Sequence, residues 1–540
     1  MNLLSKNAPL EESIEKMKSV LADVGCSVVF SHQKHPLSNC YSINLASAEA
    51  PKYIYSNGKG VVEDACIASA LGEYIERLQT NNFFSDFYLQ EYKHYPDEVL
   101  FEFGEGYLSD ELFKIYDAKA QLAYDDLVDF NSGHYDKIVS LPFKKNNAHE
   151  VYFPINILSN LYVSNGLATG NTPKEAQVQS LSEIFERFVK LEIIKNGYAL
   201  PKFSDEELRA FNKVYSDVVA LRGLGYVVDV LDASLGGVFP VTAISLINPK
   251  NASLFVSFGA HPILEVSLER TMSELMQGRN LDELDAFEAP TFDMSLVSDS
   301  FNLESHYIDS NGKLGFGFLS AKKSFEFKKW AYSGSNSDDE YEFLVSILKK
   351  LKKDFYIREY DYLGFYSCQI VVPSLSEVYP IEDLLYNNKN SGKLIRDMVL
   401  NYASYDAEDI LFEIESLDDS LDVAKYIGVI FEESFTMREL KAQTHILLGN
   451  LDEALEYLTF STHPMAAVVA ELIRMKEQKL PFKDYEEAFF HLFSKEKTQK
   501  ALKIIKKEEM LICTKLHQEY INILELYKKL EMKKELGYNR

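Results

Sequence analysis

Residues 58–79 read GKGVVEDACIASALGEYIERLQ, and residues 166–187 read GLATGNTPKEAQVQSLSEIFER. Each begins with small residues and ends in a helical pattern that carries E-x-x-E-R, at Glu73, Glu76 and Arg77 and again at Glu183, Glu186 and Arg187. The i, i+3 spacing puts both glutamates on one helical face with the arginine beside the second. Glu175 and Gln179 lie eight and four residues before Glu183 and extend its face by two turns. Apolar residues line the opposite stripes: Leu71 and Ile75 in one segment, Val178, Leu181 and Phe185 in the other. Such helices pack on a sheet and leave their carboxylates at its boundary or inside.

The surrounding pattern places strands beside these helices. Leu10, Ile14, Met17, Leu21 and Val24 recur at helical spacing until Gly25 stops them, which predicts a first helix. Strand-like runs follow at 27–30, 41–45 and 52–55, and Asn57-Gly58-Lys59-Gly60 reads as a turn into the helix Val61–Gln79. Thr172 and Pro173 read as N-cap and first-turn residue of a helix reaching Lys195. Strands are expected at 226–231, 240–247 and 254–258, a third central helix at Leu264–Gln277, and strands again at 355–360 and 364–372. The third helix carries Arg270, Glu274 and Gln277 on one stripe, and 287–340 has no clear pattern. Beyond Asp383 the pattern is helical throughout. In Met437–Phe460 two amphipathic stretches meet at Gly449-Asn450, with Ala442 and Ala454 small enough for close helix approach. That fits a tetratricopeptide-type hairpin or a plain helical bundle.

Composition narrows the function. The 540 residues hold 56 Lys+Arg and 82 Asp+Glu, a formal charge of 56 − 82 = −26. Such acidity repels phosphate backbones, so direct DNA binding is not expected. The segment from Lys495 is the exception, with 11 Lys and one Arg against seven Glu, locally +5. Cys26, Cys40, Cys66, Cys368 and Cys513 form no CxxC pair, which argues against a disulfide scaffold or thiolate zinc site. No apolar run reaches the roughly 18 residues of a membrane span, and a cytoplasmic protein is expected.

A single E-x-x-E-R is ordinarily a solvated face or a local ion pair. Two copies flanked by small residues point further. If their faces converge, at least six carboxylates share one cavity and cannot all ionise unaided. Hard divalent cations compensate such a set, and oxygen ligands select magnesium or calcium. Arg77, Arg187 and Arg270 in the same stripes suit phosphate oxygens, so a nucleotide triphosphate held with several metals is the natural ligand. No GxxxxGK[ST] and no HExxH occurs; the one ExxH, Glu91–His94, lies in a polar segment. His261, at a strand end, fits either a hydrogen-bonded structural residue or a base.

Residues 58–89, 154–187, 232–241 and 257–279 carry a resemblance to the YcaO family, in its ribosomal-protein methylthiotransferase accessory-factor type with a helical C-terminal extension. The resemblance implies an α+β fold: a YcaO-type ATP-binding α/β domain over 1–385, with glutamate-rich helices on β-sheet, then an all-α, tetratricopeptide-like interaction domain over 386–540. It implies ATP and magnesium as cofactors, with Glu73, Glu76, Glu175, Glu183, Glu186 and Glu274 as metal ligands. Nucleotide contacts are implied at Lys6, Ser13, Arg77, Ala168, Asn171, Arg187 and Arg270, with Gln179 a polar neighbour. Characterised members phosphorylate a peptide amide oxygen, turning a poor leaving group into a good one, and yield azolines, thioamides or amidines. The chain lacks the proline-rich terminus of azoline-forming members at Glu535–Arg540, and no leader-peptide domain is expected before the first helix. The expected role is therefore accessory to β-methylthiolation of an aspartate in a small-subunit ribosomal protein by a radical methylthiotransferase. Amide activation on another peptide and a non-catalytic nucleotide-bound adaptor are the alternatives, and a homodimer is expected by analogy.

Overall fold

The structure, a computed structural model, describes residues 3–48, 50–51, 54–90, 92–308 and 311–538. Helix α1 (Leu10–Val24) buries the five apolar residues of its stripe and ends at Gly25, whose φ of 84° supplies the left-handed cap. Strands β1 (Val28–Leu37), β2 (Cys40–Ser47) and β3 (Tyr55–Gly60) form an antiparallel sheet in that order. Of the strand expected at 52–55, residues 52 and 53 lie outside the described residues.

Asn57–Gly60 is not a turn. It is the greater part of β3, with Asn57 opposite Asn44, Gly58 opposite Ile43 and Lys59 opposite Ser42. Its glycines serve close approach, because helix α2 (Glu63–Gln79) lies directly on the strand. A Cβ at Gly58 would come within 2.2 Å of the Cys66 carbonyl oxygen, and one at Gly60 within 2.6 Å of the Cys66 nitrogen.

The chain continues through β4 (Val99–Phe101), β5 (Ile138–Lys145), β6 (His149–Pro154) and β7 (Leu167–Gly170) into helix α3 (Pro173–Asn196). Thr172 caps α3 by accepting from the Glu175 N–H at 3.3 Å, with Pro173 in its first turn. Then come β8 (Val227–Asp232), β9 (Val241–Asn248), β10 (Ser253–Ala260), α4 (Leu264–Met276), α5 (Ser337–Lys350), β11 (Tyr356–Tyr360) and β12 (Tyr366–Val371). Strands β8, β9 and β10 form one antiparallel sheet. The largest sheet has order β4-β5-β11-β12-β7, with β6 paired to β5. The stretch without sequence pattern holds the short helices Met294–Val297 and Ser300–Ile308. Helix α3 packs on β7 and β12, and α4 on β9 and β10.

From Ser391 onward the chain is helical. Met437–Leu448 and Leu451–Thr459 form the expected hairpin at Gly449, with Ala442 and Ala454 fully buried where they cross. The last helix, α6 (Gln518–Tyr538), returns to the sheet-containing part. One apolar core joins Leu71, Ile75 and Leu78 of α2 to Ile395, Met437, Tyr527 and Leu530. Lys534 of α6 is buried there and donates to Asn81 Oδ1 at 2.6 Å and the His94 carbonyl at 2.7 Å. Part of the basic tail is thus consumed inside the fold. The described residues contain no helix long and apolar enough to cross a membrane.

Candidate functional site

The residues before α1 fold onto the start of α3. Lys6 Nζ donates to Glu175 Oε1 at 3.1 Å, and the Asn7 N–H donates to Oε2 at 3.0 Å. Asn171 Nδ2 reaches both carboxylate oxygens at 3.2 Å, and Ser13 of α1 donates to Asn171 Oδ1 at 2.9 Å. Burial alone would raise the Glu175 carboxyl, but Lys6, the Asn7 N–H and Asn171 together hold it below the usual carboxylate range. One turn on, Gln179 Oε1 accepts from Arg270 Nη2 at 2.5 Å, while Arg270 Nη1 donates to the Ala260 carbonyl at 2.9 Å. Lys6, Ser13, Asn171, Glu175, Gln179 and Arg270 are thereby brought together from four elements.

His261 belongs to the wall of this cluster. It is fully buried, Nδ1 accepts from the Ile263 N–H at 3.0 Å, and Nε2 meets Ser5 Oγ at 2.9 Å. Ser5 in turn donates to Glu340 Oε2 at 2.6 Å. Burial, with Arg270 and Lys6 nearby, pushes the imidazole well below its ordinary value and keeps it neutral. The hydrogen-bonded structural reading holds for His261.

The second cluster gathers both E-x-x-E-R motifs. Arg77 pairs with Glu73 at 3.4 Å and Glu76 at 3.5 Å, and Arg187 pairs with Glu183 at 2.9 Å. Lys59 of β3 pairs with Glu274 of α4. Burial lowers the Lys59 ammonium, while Glu186, Glu73 and Glu183 pull it back up, so carboxylates from α2 and α3 lie within electrostatic reach of this lysine. Lys59 thus links α4 by contact, and α2 and α3 by charge, to one region. Burial pushes the Glu76 carboxyl up to about 8; Arg77 opposes this, and Glu183 and Glu73 add to it. Glu186 is also raised by burial, against Lys59 and with Glu183. Lys190, one turn beyond Glu186, is lowered by burial to about 7.

The carboxylates are interleaved with Lys and Arg instead of lying against one another, and among the described residues no three acidic, His or Cys side chains form a ready metal cage. Like charges in a desolvated cleft separate and take basic partners when no cation lies between them. Ala168, expected at the nucleotide, is in β7 opposite Cys368 and is buried among apolar residues. Lys59 is the residue that sequence reasoning missed.

The donor set nevertheless fits magnesium and a polyphosphate. Glu73, Glu76, Glu183, Glu186 and Glu274 offer only hard oxygens. The arginines are held by carboxylates that a metal would take over, leaving their forks to phosphate oxygens.

A family model described as YcaO cyclodehydratase, ATP- and Mg2+-binding, matches residues 57–376. The chain is 39% identical over 476 residues to the ribosomal protein S12 methylthiotransferase accessory factor YcaO of Escherichia coli, covering 83% of this chain and 81% of that one. It is 38% identical over 492 residues to an uncharacterised protein of Haemophilus influenzae, covering 86% and 84%. Among solved structures, a heterocyclase in complex with substrate and cofactor aligns with a TM-score of 0.49 at 18% identity, over 71% of this chain and 55% of that one. YcaO from Methanopyrus kandleri bound with AMPPCP and Mg2+ aligns with a TM-score of 0.42 at 16% identity, over 71% and 94%.

Proposed function

We propose that this chain, which belongs to the YcaO family, binds ATP with magnesium between α2, α3 and α4 and serves as an accessory factor in β-methylthiolation of an aspartate of ribosomal protein S12. The observation that supports the nucleotide reading is the pairing of Lys59 with Glu274, within electrostatic reach of Glu73, Glu183 and Glu186, with Arg77, Arg187 and Arg270 on the same three helices. The accessory role is supported by the relative named above, which matches over most of both chains.

In this reading Glu73, Glu76, Glu175, Glu183, Glu186 and Glu274 hold magnesium, which when bound neutralises phosphate charge and orients the chain for transfer. Arg77, Arg187 and Arg270 bind phosphate oxygens, and Lys6, Ser13 and Asn171 order the opposite end. By resemblance to the family, the chemistry proposed for the nucleotide is phosphorylation of an amide oxygen. The helical part beyond residue 385 recruits protein partners, and the protein acts in the cytoplasm as a homodimer.

Combined alanine substitution of Glu73, Glu76, Glu183 and Glu186 is expected to abolish Mg-ATP binding in calorimetry; unchanged affinity rejects the site. Identifying the nucleotide product with and without ribosomal protein S12 and the methylthiotransferase then tests the role. ADP or AMP formed only with those partners supports it. Absence of turnover with every partner replaces it by a non-catalytic adaptor, and ADP and phosphate formed only with another peptide replace it by amide activation on that substrate.

A further inference from the structure

Both motif arginines are held by neutral groups as well as by their glutamates. Arg77 Nη1 donates to Asn82 Oδ1 at 3.0 Å, and Asn82 Nδ2 donates to the Val163 carbonyl at 3.3 Å. Arg187 Nη1 donates to Asn165 Oδ1 at 3.4 Å and to the Tyr307 hydroxyl at 3.2 Å. The Tyr307 ring lies against the Arg187 guanidinium at 4.6 Å, and its hydroxyl also meets Ser164 Oγ at 3.0 Å. Asn165 is fixed from its other end by donating to the Ser376 carbonyl at 2.7 Å. Two arginines 110 residues apart in sequence are thus tied to one loop, Val163–Asn165.

That loop has an unusual backbone. A π-helical turn, Leu158–Tyr162, runs into Val163 with φ 51° and ψ −108°. A β-branched residue in that region is strained and persists only where its surroundings hold it. The left-handed step turns the Val163 carbonyl to Asn82 and the Asn165 side chain to Arg187. Gly166 completes the turn at φ 84°, where a Cβ would meet the Ile370 carbonyl oxygen at 2.0 Å.

The chemistry of the anchors shows what they are for. An arginine on a helix with glutamates at i−4 and i−1 settles on them and loses its charge to them. An amide oxygen or a phenol orients the guanidinium without cancelling that charge. Arg187 meets Glu183, Asn165 and the Tyr307 hydroxyl through Nη1, so the other edge of its fork is turned away from these three partners.

Resting on the Mg-ATP reading above, we propose that Asn82, Asn165 and Tyr307 are positioning residues that hold Arg77 and Arg187 over the terminal phosphate of the nucleotide.

The test compares Mg-ATP with Mg-ADP by calorimetry on the full chain carrying Asn82→Ala, Asn82→Asp or Tyr307→Phe. Asn82→Asp keeps an oxygen for Arg77 and adds an ion pair, so a merely structural role survives it. A positioning role does not, because the new carboxylate takes the charge meant for phosphate. The expected result is a loss of about tenfold in ATP affinity in all three, with ADP affinity within about twofold of wild type. Equal losses for ATP and ADP, or wild-type ATP binding by Asn82→Asp, overturn the inference and leave the site intact. A wild type that binds neither nucleotide overturns this inference and the proposed function together.

Discussion

Lys6 Nζ and Glu175 Oε1 lie 3.1 Å apart and join the segment before α1 to the first turn of α3, 169 residues later. Glu175 is 4% exposed, so its carboxylate depends on the donors that reach it. Lys6→Met leaves the Asn7 N–H and Asn171 in place, and is expected to cost about 1–2 kcal/mol. The double variant Lys6→Met/Glu175→Gln is expected to lose less than the two single losses added together, because neither charge is then stranded. Urea unfolding of the four proteins measures this; strict additivity would show that the pair is not coupled.

A second buried pair governs how stability depends on pH. His94 Nε2 lies 2.7 Å from Asp129 Oδ2, with both side chains buried. Burial works against the charged His94, yet Asp129 beside it raises the imidazole above its ordinary value. Burial likewise opposes the Asp129 charge, but His94, Lys393 and the Asn131 N–H hold that carboxyl well below the usual range. A raised His contributes fully below its unfolded value of about 6.5 and loses that contribution as pH rises through its folded one; a depressed Asp contributes above about 3.9 and loses it as pH falls. The pair is therefore worth most between those two values. Asp129→Asn is expected to cost about 3–5 kcal/mol at about pH 6 and clearly less at about pH 9. Denaturant midpoints at the two pH values check the sign, and an equal loss at both contradicts it.

The two glutamate helices were legible because period, cap and motif are local. Thr172, Pro173 and the apolar stripe of α3 need no distant partner to be recognised. Lys59 was hidden by the opposite circumstance. Asn-Gly-Lys-Gly has the composition of a turn, and only pairing with β2 makes it a strand whose lysine meets Glu274 from 215 residues away. Asn82, Asn165 and Tyr307 carry no local signal, because each acquires its role from an arginine on another element.

Close packing of α2 on β3 gives a third prediction. A Cβ at Gly58 meets backbone, the Cys66 carbonyl oxygen at 2.2 Å and the Ala70 nitrogen at 2.9 Å, neither of which can swing aside. Gly58→Val is expected to lower stability by about 3 kcal/mol or more and to disturb the spacing of Glu73 and Glu76. Gly223, at the end of helix Asn212–Gly223, has nothing within 4 Å of its Cβ position. Gly223→Ala should be neutral or stabilising by up to about 1 kcal/mol. Thermal midpoints that fall equally for both would mean that α2 does not rest on Gly58.

Lys59 supplies positive charge where the proposed magnesium would sit, so lysine and metal compete for the same carboxylates. The Lys59→Met variant removes that competitor and its ion pair with Glu274, and leaves the nearby carboxylates of Glu73, Glu183 and Glu186 with one cation fewer. Without metal the variant should be less stable than wild type, since like charges in a desolvated cleft raise the folded-state energy. With magnesium alone the order of response reverses: the rise in thermal midpoint should be larger for Lys59→Met than for wild type, because the ion binds a site no longer neutralised from within. Calcium, which also prefers oxygen ligands, should act in the same direction, and an equal concentration of monovalent salt should not. A magnesium-induced shift equal to or smaller than that of wild type would show that Lys59 and the metal do not share Glu274.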